Sequence, residues 1–324
     1  MSERSLTIKQ IYTDNRTKLK LRLVSGAAGI DRIIVEKDVH RPGLALAGFV
    51  EMFSFSRVQI LGETEILYLS KLDDKHRLKA LKNLFQFELP CIFVTKNNKP
   101  PDELSILTEK HGVPLFLTPL STTDLTHLLI DYLDDYFAPR ITVHGSLVDV
   151  YGTGILFTGR SGIGKSEISL DLVERGHRLV SDDVVVLTRK SEGVLVGSGS
   201  EMLRHLMEIR GIGIIDIRRM FGIRAIRLQK RVEMEVELVE WSESEDYERL
   251  GLEEQKKELL GVPIDYVKLP IYPGKNITVI AESLALNLHL KIYGFHPAKE
   301  FNDKLLRTIK DRRRVAQYLE RDLE

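Results

Sequence analysis

One stretch of eight residues constrains this chain more than any other: Gly-Arg-Ser-Gly-Ile-Gly-Lys-Ser at positions 159–166. It matches the pattern G-x-x-x-x-G-K-[ST], in which glycines let consecutive backbone N–H groups turn inward around a polyphosphate. The lysine of this pattern reaches the outer phosphates, and the hydroxyl of the last residue binds Mg²⁺. The sequence therefore predicts a bound nucleotide, with these candidate contacts: Gly159, Arg160, Ser161, Gly162, Ile163, Gly164, Lys165 and Ser166.

The residues on both sides of this loop match the strand and the helix that such a loop requires. Residues 154–158 are short and apolar like a buried strand, and residues 167–175 place Ile168, Leu172 and Val173 on one helical face. A glycine-rich turn that matches the pattern by chance is the alternative. The flanking elements argue against it, because a chance match has no reason to lie between a strand and a helix.

The composition limits the classes of protein to which the chain can belong. Its 324 residues are too many for one ordinary core, and 47 basic residues balance 47 acidic ones. With no net charge, neither nucleic acid nor a membrane is favoured as a partner. Cys91 is the only cysteine, which fits a reducing compartment. The length predicts two domains. Because no apolar run reaches membrane-spanning length and the N-terminus has no apolar signal segment, we expect a soluble, cytoplasmic protein.

The first 138 residues alternate between strand-like and helix-like segments. This alternation predicts an open α/β sheet, and we place the domain boundary at Pro139. No catalytic constellation stands out in these segments, so they do not indicate a role for the domain. The predicted strands are 19–24, 32–35, 65–69, 91–95 and 113–117, and the predicted helices are 73–89, 102–111 and 121–137.

Residues 139–324 contain the phosphate-binding loop and are predicted to form a second α/β domain. The predicted strand at 231–240 alternates apolar residues with Glu233, Glu235 and Glu237, so we expect its acidic side to face solvent. We expect residues 241–257 to be mobile or partly helical, and residues 270–276 to form a loop. The other predicted elements are strands at 141–150, 178–187, 194–196 and 277–280 and a C-terminal helix at 301–323.

Asp182 and Asp183 follow the loop helix inside an apolar segment, Leu-Val-Ser-Asp-Asp-Val-Val-Val-Leu at 179–187. Two adjacent carboxylates in such a segment are costly to bury unless a cation balances them, as Mg²⁺ or a phosphoryl-transfer site would. Most of the apolar run follows the pair, whereas a metal-associated aspartate often ends its strand. A turn with two solvated acids therefore stays open, although the nearby loop favours a functional pair.

Three further residues are weak candidates when each is taken by itself. Glu208 lies in the stretch Met-Glu-Ile-Arg-Gly-Ile-Gly at 207–213, which is equally typical of a helix-to-strand turn. His144 lies in a predicted strand, where a lone histidine is more often structural. Arg249 belongs to a charged run that would ordinarily face solvent.

Taken together, these motifs resemble HPr kinase/phosphorylase, a bifunctional enzyme family that phosphorylates a serine of the phosphocarrier protein HPr. The most specific part of the resemblance is the signature Met-Glu-Ile-Arg-Gly-Ile-Gly-Ile-Ile-Asp at 207–216. The stretches Tyr-Glu-Arg-Leu-Gly at 247–251 and Pro-Gly-Lys-Asn at 273–276 complete the match. The resemblance implies an N-terminal open α/β domain, residues 1–138, followed by a C-terminal P-loop kinase domain, residues 139–324.

The resemblance also implies roles for individual residues. Ser166 and Glu208 would bind Mg²⁺, and Asp182 lies beside the general base and is not separable from it. The implied catalytic residues are His144, Lys165, Asp183 and Arg249. Dephosphorylation is associated with the loop Pro270, Ile271, Tyr272, Pro273, Gly274 and Lys275, in which Tyr272 stands where the family often has a basic residue.

The implied substrates are ATP, as its Mg²⁺ complex, and the protein HPr. In the dephosphorylating direction the resemblance implies that inorganic phosphate is consumed and pyrophosphate released, and the implied assembly is a homohexamer. Two other functions compete with this interpretation. A P-loop small-molecule kinase is disfavoured by the 207–216 signature. A nucleotide-sensing regulator stays open because the N-terminal domain has no evident role, although a sensor would not need Asp183, Glu208 and Arg249 together.

Overall fold

The computed structural model describes residues 5–190, 193–242, 255–272 and 274–321 of the chain. The chain divides into two compact units, Met1–Ala138 and Pro139–Glu324, each with its own hydrophobic cores. Both units combine helices with sheets, so the predicted mixed α/β class is confirmed.

The N-terminal unit is built on an open five-stranded sheet in the order β2-β7-β6-β5-β4. Strands β4 to β7 run parallel and β2 pairs antiparallel with β7, while apolar cores cover both faces of the sheet. The strands are β1 Leu6–Thr7, β2 Arg22–Ser25, β3 Ile33–Ile34, β4 Val39–His40, β5 Val58–Leu61, β6 Ile92–Val94 and β7 Leu115–Leu117. The helices are α1 Ile8–Asn15, α2 Gly43–Leu46, α3 Glu63–Lys71, α4 Asp74–Phe85, α5 Asp102–His111 and α6 Thr122–Phe137.

The C-terminal unit contains a six-stranded sheet in the order β11-β9-β10-β17-β19-β18, a four-stranded sheet in the order β16-β13-β12-β8, and the hairpin β14-β15. The strands are β8 Arg140–His144, β9 Ser146–Val150, β10 Thr153–Gly159, β11 Arg178–Ser181, β12 Val184–Arg189, β13 Leu195–Gly199, β14 Leu206–Ile209, β15 Gly213–Asp216, β16 Gln229–Arg231, β17 Met234–Glu240, β18 Lys256–Leu259 and β19 Val262–Ile271. The helices are α7 Lys165–Glu174, α8 Ile217–Phe221, α9 Ile277–Ile292 and α10 Pro297–Arg321.

The loop at 159–166 leaves the middle of the six-stranded sheet. Strand β10 pairs in parallel with β17 and ends at Gly159, opposite Leu238. A Cβ at Gly159 would lie 2.4 Å from the Leu238 carbonyl oxygen, so only glycine allows the two backbones to approach this closely. Helix α7 then returns over the sheet and buries Leu172 and Val173 in the same core as Phe157. The predicted strand before the loop and helix after it are both present.

Two predicted strands are wrong because they are helices. Residues 65–69 lie in α3, where the Glu65 carboxylate accepts a hydrogen bond from the Gly62 N–H at 2.9 Å and closes the first turn. Residues 277–280 begin α9, where the Asn276 side chain accepts a hydrogen bond from the Val279 N–H at 3.1 Å. A short apolar run fits a strand and a helix equally well. In both places the cap favours the helix.

The acidic side of β17 was expected in solvent, and this expectation is wrong. Glu235 is only 1% exposed, and its carboxylate accepts hydrogen bonds from the Thr158 hydroxyl at 2.6 Å and from Lys257 Nζ at 2.7 Å. Glu237 accepts a hydrogen bond from the Tyr266 hydroxyl. Strands β19 and β18 extend the sheet beyond β17, and their side chains Lys257 and Tyr266 supply hydrogen-bond donors to the glutamates of β17. Buried carboxylates need such partners.

Candidate active site

The Lys165 side chain is hydrogen-bonded to the backbone of the predicted phosphate-binding loop. The loop passes through Gly162 and Gly164 with φ of +79° and +102°, a left-handed conformation that glycine adopts without strain. Helix α7 begins at Lys165, whose Nζ donates to the carbonyl oxygens of Gly159 at 3.1 Å and Arg160 at 3.0 Å. The positive charge of the ammonium and the positive end of the α7 dipole therefore lie close together at the loop, which favours the binding of an anion there.

The loop forms one wall of a cleft of about 130 Å³. The other walls come from the turn between β11 and β12 and from strand β14, which is distant in sequence from both. The cleft is lined by Ser161, Gly162, Gly164, Lys165, Ser166, Glu167, Asp182, Asp183, Glu208 and Arg210. The fold thus brings the loop together with both predicted aspartates and with the predicted metal ligand Glu208.

The segment 178–187 was predicted as one strand, and it is interrupted at the two aspartates. Asp183 has a φ of +64°, a left-handed conformation that costs about 1 kcal/mol for a residue with a Cβ and is tolerated best by Asp and Asn. The turn is held because the Gly145 N–H donates to the Asp183 carbonyl oxygen at 3.0 Å. The chain reversal sends neighbouring side chains in different directions, so Asp182 is buried and Asp183 is exposed to the cleft.

The buried Asp182 carboxylate has an incomplete set of partners. Its Oδ1 accepts a hydrogen bond from the Ser146 hydroxyl, and among the described residues its Oδ2 accepts none. Burial raises the pKa of Asp182, while the hydrogen bond from the Ser146 hydroxyl acts in the opposite direction. A buried carboxylate oxygen without a donor is a place where a cation would be stabilising.

His144 ends β8 directly opposite Val184, which places it beside Asp183. Its Nδ1 lies 3.8 Å from Asp183 Oδ1, and both side chains are mostly exposed. This distance allows an ion pair when the imidazole is protonated but is too long for a hydrogen bond. The geometry therefore puts the predicted histidine next to the predicted base, which it can orient or balance in charge.

Glu208 and Ser166, the two predicted metal ligands, both line the cleft. Along β14 the side chains of Met207 and Ile209 are buried and that of Glu208 is exposed, as expected for a strand with one covered face. Within the described residues no group of three His, Cys, Asp or Glu side chains is arranged to hold a metal by itself. Mg²⁺ commonly takes one or two carboxylates and completes its coordination with phosphates and water, so a hydroxyl and a carboxylate fit a nucleotide-bound Mg²⁺.

Arg210 is a cleft residue that the sequence interpretation did not select. Its guanidinium lies against the loop, because a Cβ at Gly162 would be 2.5 Å from Arg210 Nη1. A planar guanidinium in this position can donate two hydrogen bonds to phosphate oxygens. The mixture of acid, base and glycine at 207–213 was the available signal, but it did not say which residue would face the ligand.

The loop predicted to serve dephosphorylation begins within β19, which continues through Pro270 and Ile271. Lys275 Nζ donates to the Pro270 carbonyl oxygen at 3.0 Å and lies 5.2 Å from the centroid of the Tyr272 ring. Lys275 and Glu167 line a second cavity of about 370 Å³, and Glu167 also lines the phosphate cleft. The two cavities are therefore neighbours. Pro273 lies outside the described residues.

The predicted catalytic Arg249 also lies outside the described residues, as does the stretch 247–251 that contains it. The expectation that residues 241–257 are mobile or partly helical falls mostly on residues 243–254, which the structure does not describe. Its described end is extended, since Lys256 begins β18. No helix in the described part of the chain is both long and apolar enough to span a membrane.

Family models match both units of the chain. The model of the HPr Serine kinase N terminus matches residues 6–133, and the model of the HPr Serine kinase C-terminal domain matches residues 135–305. The chain belongs to the HPr serine kinase family. The family resemblance inferred from the motifs is therefore confirmed, and with it the enzyme class, a serine kinase with phosphorylase activity.

Relatives in this family are similar over nearly the whole chain. A protein of Chloroherpeton thalassium named HPr kinase/phosphorylase is 49% identical over 100% of this chain and 98% of its own length. One of Prosthecochloris aestuarii with the same name is 50% identical over 95% of this chain and 92% of its own. A solved structure of the HPr(Ser) kinase/phosphatase from Coxiella burnetii is 34% identical and covers 47% of this chain and 99% of its own, with a TM-score of 0.44.

Proposed function

We propose that this member of the HPr serine kinase family transfers the γ-phosphoryl group of Mg-ATP to a serine of HPr. We propose further that it removes the group again with inorganic phosphate, releasing pyrophosphate. The observation that carries the proposal is the convergence of Lys165, Asp183 and Glu208 on one cleft beside the phosphate-binding loop. The names of the relatives supply the substrate, HPr.

In the forward direction the loop N–H groups and Lys165 would hold the polyphosphate of ATP. Bound Mg²⁺, held by Ser166 and Glu208, would neutralise charge on the phosphates. Asp183 is exposed to the cleft and would accept the proton of the serine hydroxyl as the new oxygen–phosphorus bond forms and ADP leaves. His144 would orient Asp183 or balance its charge.

In the dephosphorylation reaction, which uses phosphate in place of ADP, an oxygen of inorganic phosphate would attack the phosphorus of phosphoserine. The bond between phosphorus and the serine oxygen breaks, and protonated Asp183 returns a proton to that oxygen. The phosphoryl group ends on the attacking phosphate, so the product is pyrophosphate. Lys275 and Arg249, the latter placed by the family resemblance alone, would bind the equatorial oxygens of the transferring group.

The proposal is tested by incubating the full chain with labelled ATP, Mg²⁺ and HPr, followed by removal of ATP and addition of phosphate. We expect label on an HPr serine and then its release as pyrophosphate. Label transferred only to a small molecule would indicate a small-molecule kinase. Binding of ATP with no transfer to any acceptor would indicate a nucleotide sensor.

Replacing Glu208 by Gln should weaken the use of Mg²⁺ more than the binding of HPr. The amide keeps the shape of the side chain but is a much poorer ligand for a hard cation, so we expect the Mg²⁺ concentration for half-maximal rate to rise about tenfold or more. A Mg²⁺ titration of the kinase rate measures this change. Glu201→Gln is the control, because Glu201 is exposed shortly before β14 and does not line the cleft. An unchanged Mg²⁺ requirement in Glu208→Gln would remove Glu208 from the metal site.

Replacing Lys275 by Ala should reduce phosphorolysis about tenfold more than ATP-dependent phosphorylation, since a charge-assisted hydrogen bond to phosphate is lost. Phosphorolysis must place an additional phosphate anion beside phosphoserine, whereas the kinase reaction needs no such anion. Initial rates in both directions across a phosphate titration measure the difference, with the exposed Lys304→Ala as control. Equal losses at every phosphate concentration would contradict a selective role for this loop.

We also propose that the protein is cytoplasmic and assembles as a homohexamer, as the family resemblance implies. The buried free thiol of Cys91 is consistent with a reducing compartment. Several large apolar side chains of the last two helices and their connection are exposed, which supports a subunit interface there: Leu286, Leu290, Ile292, Tyr293, Phe295, Phe301, Leu305, Leu306 and Ile309. Sedimentation of the full chain would test the assembly.

A further inference from the structure

Lys275 is held by its own loop. Its ammonium donates to the Pro270 carbonyl oxygen at 3.0 Å and faces the Tyr272 ring, with 5.2 Å between Nζ and the ring centroid. This distance is within the range in which the negative face of an aromatic ring attracts a cation. The side chain is half-buried, and burial lowers the pKa of Lys275. The carbonyl oxygen and the ring therefore replace part of the water that the ammonium has lost.

The position of Lys275 places it next to the phosphate cleft. Among the described residues that line its cavity of about 370 Å³, Lys275 is the basic one, and Glu167 and Asp171 are acidic. Glu167 also lines the cleft that contains Lys165 and Asp183. An anion that approaches the cleft from this side would meet Lys275 first, and it would compete with Pro270 and Tyr272 for the ammonium.

We propose that the Tyr272 ring restrains Lys275 and thereby sets the balance between the two reactions, lowering phosphate-dependent dephosphorylation relative to ATP-dependent phosphorylation. This inference rests on the proposed function. The two reactions use different second substrates, so one residue can change one rate more than the other. An incoming phosphate must draw Lys275 away from the ring, whereas ATP would be held by the loop at 159–166, whose residues line the phosphate cleft and not the cavity of Lys275. Tyr272 acts through Lys275 and is a positioning residue.

The test compares two replacements of the same residue. Tyr272→Leu removes the ring at similar size, and Tyr272→Phe keeps the ring and removes only the hydroxyl. For Tyr272→Leu we expect the ratio of phosphorolysis to phosphorylation to rise about two- to fivefold, through a lower KM for phosphate with little change in kcat, because the lost attraction is of that size. For Tyr272→Phe we expect a ratio close to that of the unchanged chain. Tyr68→Leu, which replaces an exposed tyrosine of α3, is the matched control.

A second measurement on the same proteins does not depend on activity. After reductive methylation with ¹³C, the Lys275 signal, assigned with Lys275→Arg, should show a ring-current shift that Tyr272→Phe keeps and Tyr272→Leu loses. Absence of the shift in the unchanged chain would overturn the contact, and an unchanged ratio in Tyr272→Leu would overturn its effect on the reaction. If HPr is not a substrate in either direction, the proposed function fails, while the NMR result still reports whether the ring restrains Lys275.

Discussion

The Lys165→Ala variant should lose both phosphorylation and phosphorolysis while keeping its fold. Lys165 Nζ lies 3.1 Å and 3.0 Å from two carbonyl oxygens of the phosphate-binding loop, so its charge is placed where the outer phosphates would bind. Removing one preorganised group that stabilises developing charge costs roughly 10²- to 10³-fold in kcat, and we expect at least this loss in each direction. Initial rates with HPr and with phosphoserine-HPr measure it.

A loss of activity in this variant is informative only if the protein remains folded. The side chain is half-buried at the first turn of α7, and the apolar face of that helix is formed by Leu172 and Val173 instead. We therefore expect little change in the melting temperature, for which Lys79→Ala, at an exposed position in α4, provides a control. Normal turnover by folded Lys165→Ala would contradict the assignment of the 159–166 loop to the transferring phosphates.

Elements with local signals at both ends were predictable from the sequence. Helix α5 covers Asp102–His111, the predicted bounds, because acidic residues occupy its first turn and Gly112 ends it with a φ of +57°. Helix α6 begins after Ser121, whose hydroxyl accepts a hydrogen bond from the Asp124 N–H. The short apolar runs at 65–69 and 277–280 fit a strand and a helix equally well, and the strand predictions there are wrong. The helix caps provided by Glu65 and Asn276 were local signals, but the strand predictions took no account of them.

Features that depend on a distant partner were not predictable. Glu235 looks like a surface acid in a strand that alternates, and it is buried because Lys257 and Thr158 come to it from other strands. The same limit applies within the site. The phosphate-binding loop is a local motif, so the sequence alone predicts it residue by residue, whereas the approach of Arg210 to Gly162 depends on how the β14-β15 hairpin packs against that loop.

The fold also determines that Asp182 is buried while Asp183 is exposed to the cleft, so replacing each of them should have a different effect. Asp183→Asn should reduce the phosphorylation rate by roughly 10²-fold or more, because an amide cannot accept the proton of the serine hydroxyl. Asn tolerates the left-handed conformation at φ +64° as well as Asp does, so the turn between β11 and β12 should be kept. We expect only a modest change in ATP affinity, measured by a direct binding titration beside the initial rates.

Asp182→Asn distinguishes the roles of the two neighbours. The Asp182 carboxylate is buried, and one of its oxygens accepts a hydrogen bond from the Ser146 hydroxyl. Its other oxygen has no donor among the described residues, so this carboxylate could balance the charge of a bound cation. The amide oxygen of the replacement side chain could still accept the Ser146 hydrogen bond, but the charge would be gone. We therefore expect Asp182→Asn to raise the Mg-ATP concentration needed for half-maximal rate, and Asp183→Asn to lower kcat at saturating Mg-ATP. If Asp182→Asn abolishes kcat and Asp183→Asn does not, the proton acceptor is the buried aspartate, and the exposed one serves another purpose.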